Sequence, residues 1–335
     1  MTHRSIICAT ALLCGAPAFA LDVDNPMVQS FVARLADQHG FVARDLNAVL
    51  SQAQIQQSVL EAMSRPAERA LLWYEYRGRF LNERRIQEGV EFWQAHRELL
   101  EQIARERGVA PEYLVAILGV ETYYGRITGK YRVLDALSTL AFGYPPRSEY
   151  FTQELEQFFL LTREEAVDPL EALGSYAGAM GPPQFMPRSV RQFAVDADGD
   201  GRRDLWADWE DILGSIANYF VVHGWKRDEP VLAEASIDQE RAHDLDPRKI
   251  VLNETVGTLK DKGVLFETTL GSEAPALFLA GDLPENVIFR VGFNNFYVIT
   301  RYNRSPLYAM AVHDLATALV KRVYSDALPA QDAPG

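Results

Sequence analysis

Cysteine is almost missing from the 335-residue chain: there are two, Cys8 and Cys14, and both lie in the first twenty residues. Once that segment is removed no disulfide can staple the fold, so stability must come from buried apolar surface or bound ions. Long apolar runs are missing as well. The stretch from Ser5 to Pro17 is shorter than the roughly 20 residues that a membrane-spanning helix needs, and no later stretch is long and apolar enough to cross a membrane. Positive charge is in the minority, with 33 Lys+Arg against 46 Asp+Glu and a net charge of −13. With no basic run to offset that balance, a nucleic-acid partner is excluded. There is no fixed-period repeat, no phosphate-cradling glycine loop and no dinucleotide fingerprint, and the six histidines are scattered without zinc-ligand spacing. What remains, 48% hydrophobic and 24% charged, is the composition of a globular protein and excludes disorder and collagen-like structure.

The N-terminus reads as an export signal. Met1 to Arg4 is basic, Ser5 to Pro17 is apolar and uncharged, and Ala18-Phe19-Ala20 is a small-x-small site before polar residues. The expectation is a signal peptide over 1–20 and a mature periplasmic chain beginning at Leu21. A lipid anchor at Cys14 is disfavoured, because the residue before it is Leu13 rather than a small one.

Beyond it, Asn25-Pro26 opens a helix whose Val28, Phe31, Val32 and Leu35 share a face. The same spacing predicts helices over Ser64–Leu81, Val90–Arg107, from Pro111, around Phe151, Leu155, Phe158 and Phe159, and over Ile212–His223. No strand is evident before about 228. From 229 to 304, short β-branched or aromatic runs (Val251, Val264–Thr269, Ala276–Leu279, Val287–Val291, Phe296–Tyr302) alternate with Gly, Asn and Asp. They predict strands, including a hairpin over Asn286–Arg301 turning at Gly292-Phe293-Asn294-Asn295. Ser305-Pro306 then caps a last helix over 305–325, and 326–335 is a tail. The fold class is therefore mainly α with a small β subdomain: a helical body over 21–228, a β-rich unit over 229–304, and a C-terminal helix returning to the body.

Three segments carry chemistry. In Leu114–Gly125, an apolar run leads to one carboxylate, Glu121, near a helix end, where desolvation and the negative end of the helix dipole both raise its pKa. Such a group can hold a proton near neutrality and pass it to a leaving oxygen; the plainer reading is a Glu that surfaces where its helix stops. In Gly174–Pro187, dense small residues permit close backbone approach to a partner, with Ser175 and Gln184 as the polar side chains, or simply form a tight crossing. In Asp196-Ala197-Asp198-Gly199-Asp200-Gly201-Arg202, carboxylates at positions 1, 3 and 5, Gly at 6 and a backbone carbonyl at 7 meet the needs of a Ca²⁺ loop. Position 12 is Ala207, so the closing carboxylate must be Asp208, Glu210 or Asp211.

Taken in order, Gly119-Val120-Glu121-Thr122-Tyr123-Tyr124-Gly125, Ala177–Pro187, the Asp loop, Ala217-Asn218-Tyr219 with His223-Gly224-Trp225, and Arg301-Tyr302-Asn303-Arg304-Ser305 resemble the family B lytic transglycosylases of the MltB type, over about 25 to 322. The resemblance implies a lysozyme-like helical core flanked by a helical domain and a small β domain. It also implies cleavage of the MurNAc-β-1,4-GlcNAc bond of peptidoglycan with formation of 1,6-anhydro-MurNAc, Glu121 serving as general acid and then base. No second catalytic carboxylate and no catalytic cofactor are implied. Ser175, Gln184, Tyr76, Tyr150, Tyr219, Tyr302 and Asn303 match positions lining the glycan groove. Arg147 stands where the family often has two basic residues, the other being Pro146 here. A structural Ca²⁺ is implied on Asp196, Asp198, Asp200, the Arg202 carbonyl and a late carboxylate, Asp211 ahead of Glu210. Glycan strands, and cell-wall synthesis proteins, are the expected partners. A hydrolytic muramidase and a noncatalytic calcium-stabilised wall-binding scaffold are the competing readings.

Overall fold

The computed structural model describes residues 18–64, 71–238, 244–247 and 249–325. The leader up to residue 17 with Cys14, the middle of the helix expected over Ser64–Leu81, and the tail from 326 lie outside the described residues.

The chain runs β1 (Ala18–Ala20), α1 (Pro26–His39), α2 (Ala43–Leu50), β2 (Gln54–Gln56), α3 (Gln57–Ser64), α4 (Trp73–Phe80), α5 (Glu83–Ala95), α6 (Arg97–Arg107) and α7 (Pro111–Thr122). It continues β3 (Tyr131–Arg132), α8 (Val133–Gly143), α9 (Ser148–Glu164), β4 (Leu173–Gly174), α10 (Pro187–Phe193) and α11 (Trp209–Val222). Then follow β5 (Leu232–Ile237), β6 (Glu254–Thr255), α12 (Val256–Asp261), β7 (Val264–Phe266), β8 (Pro275–Asp282), β9 (Val287–Gly292), α13 (Asn294–Tyr302) and α14 (Pro306–Ser325). The fold is mainly α, with an antiparallel five-stranded sheet of order β6-β8-β9-β5-β7 as its β-rich unit.

At the centre lies α7. Pro111 at its first turn presets the backbone angle, and every residue from Tyr113 to Val120 is buried, so this helix has no solvent face. It packs between α5, α6, α11 and α14. A side chain at Gly119 would collide with Tyr124 and with Leu315 of α14, at 2.8 and 2.9 Å, so glycine is what lets α14 approach. Leu315, Leu319 and Val323 continue that seam in full burial. Burying side chains of this size stabilises by roughly 1.5–3 kcal/mol each, and the core must draw on it without disulfides.

Four expectations from sequence are corrected. The Asn286–Arg301 hairpin does not form: β9 ends at Gly292 and Asn294–Tyr302 is helix α13. Phe296, Val298 and Ile299 are buried on that helix, while Asn295 is drawn inward to bond the Lys226 and Glu229 carbonyls. An aromatic and β-branched run scores as strand, yet tertiary packing decides it. The single helix over Val90–Arg107 is two, α5 and α6, divided at His96. Val251 lies in a bend rather than a strand. Short strand pairs do occur before 228, β1 with β2 and β3 with β4, too brief to leave a period.

Candidate active site

Glu121 is the next-to-last residue of α7, and the chain turns sharply after it. Tyr123, Tyr124 and Gly125 take φ of 54°, 60° and 81° in succession. Left-handed backbone at non-glycine residues costs roughly 1–3 kcal/mol each, and Tyr123, Tyr124 and Gln184 (φ 52°), all beside Glu121 or its partner segment, account for half of the six such residues described. The turn is held by Tyr124 N–H donating to the Leu118 carbonyl (2.9 Å) and by Thr122, whose hydroxyl donates to the Pro182 carbonyl (2.9 Å). That last bond ties the end of α7 to the small-residue segment. There Gly181 (φ 63°) lies so close to Leu205 that a side chain would meet its carbonyl at 1.9 Å.

The Glu121 carboxyl is largely enclosed. Its Oε1 accepts a hydrogen bond of 2.7 Å from the hydroxyl of Tyr308, a buried residue in the first turn of α14. Burial raises its pKa to about 7 and the Tyr308 bond opposes the rise. Desolvation outweighs the hydrogen bond, so Glu121 keeps its proton close to neutrality. Tyr76, Tyr302 and Tyr308 surround it: each phenol is raised first by burial and then by the Glu121 charge. Tyr308 escaped the sequence reading because it lies on the apolar stripe of α14 with Leu315 and Leu319 and reads there as core; only its hydroxyl, set among hydrocarbon, hinted otherwise.

The other residues divide. Tyr76 feels the Glu121 charge, and its ring packs at a tilt of 46° on Phe80, with centroids 5.1 Å apart. Tyr219 and Tyr302 touch at 4.9 Å, but both hydroxyls are spent as donors, to the Arg301 carbonyl (2.6 Å) and the Pro183 carbonyl (2.7 Å), so they form a wall rather than free polar rims. Gln184 gives both Nε2 hydrogens to backbone, the Thr128 and Gly181 carbonyls at 3.0 and 2.9 Å, which leaves its amide oxygen as the group a ligand can use. Ser175 Oγ accepts from Ala179 N–H at 3.0 Å. Ser175 and Gln184 line a cavity of about 520 Å³ together with Tyr176 and residues 126–131. Arg147 lies over the ring of the exposed Tyr150 at 4.6 Å, where α9 begins, and Asn303 is exposed after α13.

In the Asp loop, ligand oxygens of Asp196, Asp198 and Asp211 all lie within 4.8 Å of one another. Asp200 is outside that group and accepts the Arg202 N–H at 2.8 Å. Asp196 receives Gly199 and Gly201 N–H at 2.8 and 2.9 Å, and the buried Asp211 receives Ala197 and Asp204 N–H at 2.6 and 2.7 Å. Of the late carboxylates, Asp208 instead caps α11, bonding Glu210 and Asp211 N–H.

The chain is similar to known proteins over most of its length. Residues 24–317 match the family described as transglycosylase SLT domain. The chain is 41% identical over 305 residues to the membrane-bound lytic murein transglycosylase B of Escherichia coli, covering 88% of this chain and 83% of that one. Catenated lytic transglycosylase SltB1 from Pseudomonas aeruginosa superposes with a TM-score of 0.87 at 46% identity, over 90% of this chain and all (100%) of that one. Escherichia coli Slt35 in complex with calcium gives 0.83 at 40% identity, over 92% and 97%. The lysozyme-like helical core with a helical flank and a small β domain is thus the fold of these enzymes. The chain belongs to the transglycosylase SLT domain family.

Proposed function

We propose that this chain is a lytic murein transglycosylase that cleaves the MurNAc-β-1,4-GlcNAc bond of peptidoglycan and leaves 1,6-anhydro-MurNAc, with Glu121 as general acid and then base. The observation that carries the reading is one enclosed carboxyl, raised to about 7 and held by Tyr308. Protonated Glu121 gives its proton to the glycosidic oxygen as the bond to C1 of MurNAc breaks, and the leaving oxygen takes the electron pair. The 2-acetamido group of the same sugar stabilises the oxocarbenium-like centre. Glu121, now charged and steadied by the Tyr308 hydroxyl, takes the proton of the C6 hydroxyl, whose oxygen closes on C1. The acid is restored and no water is consumed.

A two-carboxylate glycosidase needs a partner acid at about 5–9.5 Å. Burial raises the Glu121 pKa and the Tyr308 bond opposes it, so the shift needs no neighbouring carboxylate, and the substrate's own acetamido group fills the place of a second one on this reading. Ser175, Gln184, Tyr76, Tyr219, Tyr302 and Asn303 serve as groove residues on this reading, with Arg147 and Tyr150 at its periphery.

The Asp loop fits a structural Ca²⁺. Three convergent carboxylates, one of them buried, would repel one another without a cation, and hard oxygen donors suit calcium. Asp196, Asp198 and Asp211 would hold the ion, with Asp200 and the Arg202 carbonyl completing the set, and it would brace the loop joining α10 to α11. Support also comes from the calcium complex of Slt35. Export through residues 1–20 to the periplasm suits a murein substrate; no described helix is long and apolar enough to cross a membrane. The test is turbidity clearing of purified peptidoglycan by the chain from Leu21: the native protein is expected to clear it and Glu121→Gln to leave it, while clearing by both would overturn the assignment.

A further inference from the structure

The β-rich unit lies outside the chemistry described so far, yet it is joined to the active site by charge. Arg290 of β9 is buried, at 7% exposure, and its guanidinium forks onto Asp314 of α14 at 2.8 and 3.2 Å. It also reaches Glu234 of β5 at 2.9 Å, and it lies 5.6 Å from the ring of Trp73. Asp314 in turn meets Arg77 at 3.5 Å. Trp73 and Arg77 are one helical turn apart on α4, and Trp73 is fully packed against Gly281 of β8, where a side chain would collide with the indole at 2.8 Å. Between them on α4 stands Tyr76, the phenol that feels the Glu121 charge.

The same stretch of α14 reaches the catalytic helix. His313, beside Asp314, bonds through Nδ1 to the Tyr113 hydroxyl of α7 at 2.9 Å, and Tyr308 at the start of α14 holds Glu121. Three helices that each supply a group to the site, α4 with Tyr76, α7 with Glu121 and α14 with Tyr308, are therefore tied together through α14, which carries the ion pair shared with the β sheet, reaches α4 through Arg77 and reaches α7 through His313 and Tyr308.

We propose that Arg290 is a positioning residue: paired with Asp314, it fixes α4 and α14 on the sheet so that Tyr76 and Tyr308 are aimed at Glu121. The proposal rests on the reading of Glu121 as the acid. A plain structural staple would also use a buried pair, and removing one partner of such a pair is destabilising whatever its role. The two differ in what happens to a molecule that is still folded. A displacement of about 1 Å at a catalytic group can cost on the order of 10²-fold in rate, whereas a staple changes only the folded fraction.

The test measures kcat and KM on purified glycan strands, each variant held well below its own melting temperature. Arg290→Met is expected to lower kcat by at least about tenfold with KM within about threefold, and Arg290→Lys to recover part of the loss, since lysine keeps the charge but cannot make the fork. Should Arg290→Met fail to fold, Arg77→Met, which leaves the buried pair intact, is expected to lower kcat about threefold. Unchanged kcat in the folded variants, with only the melting temperature reduced, would overturn the positioning role. Glu121→Gln is run in parallel: full turnover there would overturn the acid assignment and the positioning role with it, a failure visible in that arm alone.

Discussion

Two regions of this molecule depend on carboxyl groups, and they surround them in opposite ways. Around Glu121 a single carboxyl is enclosed by tyrosines and apolar residues and receives one hydroxyl bond, so its neutral form is favoured. In the Asp loop several carboxylates converge, and backbone N–H groups of Gly199, Gly201, Ala197 and Asp204 point at their oxygens. Charge is suppressed in one place and gathered in the other. The contrast separates their tasks: a lone enclosed carboxyl that holds its proton can transfer it, whereas several converging carboxyl groups offer a cation its oxygens, and at Asp211 burial and the neighbouring Asp208 and Asp198 charges raise the pKa in the absence of an ion.

The strongest way to break the contrast is Glu121→Gln. Turnover is expected to fall by about 10³-fold or more, because Gln has no proton to give, while glycan binding persists; equal turnover would remove the acid from the account. The same variant has a stability signature. Because the folded pKa is raised from 4.5 to about 7, the fold disfavours the charged form; the native carboxyl destabilises the protein fully above pH 7, and that cost fades as pH falls towards 4.5. Glu121→Gln should thus be more stable than the native chain at pH 8, by up to about 3 kcal/mol from roughly 1.4 kcal/mol per pKa unit, with no gain at pH 4. Denaturant melts at the two pH values would show it.

Tyr308→Phe sharpens the comparison from the other side. Its hydroxyl favours the charged carboxylate, so its removal should raise the Glu121 pKa further and move the alkaline limb of the rate profile above 7, with a loss of roughly tenfold in kcat. An unmoved limb would show that the bond does not govern the acid.

Calcium is the next arm. At 100 times its dissociation constant, ligand binding stabilises by about 2.7 kcal/mol, or several degrees of melting temperature in a chain of this length. Asp200→Ala and Asp196→Ala should abolish that response, and Glu121→Gln should keep it. Identical melting with calcium and with chelator would discard the metal site. The smallest effect is expected at the periphery: Tyr150→Ala should raise KM by a few-fold and leave kcat alone, as steady-state kinetics would report.

Much of this was legible in the sequence where local pattern and tertiary role coincide. The apolar run ending in Glu121, the Pro111 start of α7 and the alternating Asp residues each announce themselves over a few positions. What stayed hidden depended on contacts between distant segments. Tyr308 lies 187 residues from the carboxyl it holds, and on α14 it looks like core. Tyr219 and Tyr302 read as groove aromatics, yet carbonyls of Arg301 and Pro183 occupy their hydroxyls. The stretch from Phe296 to Tyr302 reads as strand after a turn at 292–295, and becomes the helix Asn294–Tyr302 because Phe296, Val298 and Ile299 find the core on that path. Asp211 was one of three late carboxylates until burial and its two backbone bonds set it apart from Asp208, which caps α11.

The identity of the new sugar end tests most directly whether Glu121 acts as acid and then base on the C6 hydroxyl. Purified peptidoglycan is digested with the chain from Leu21 onward, and the released fragments are weighed by mass spectrometry. Muramic ends one water lighter than hydrolysed ones, and none of either kind from Glu121→Gln, are the predicted result. Reducing, hydrated ends would contradict it, since water and not the C6 hydroxyl would then be the group that Glu121 activates.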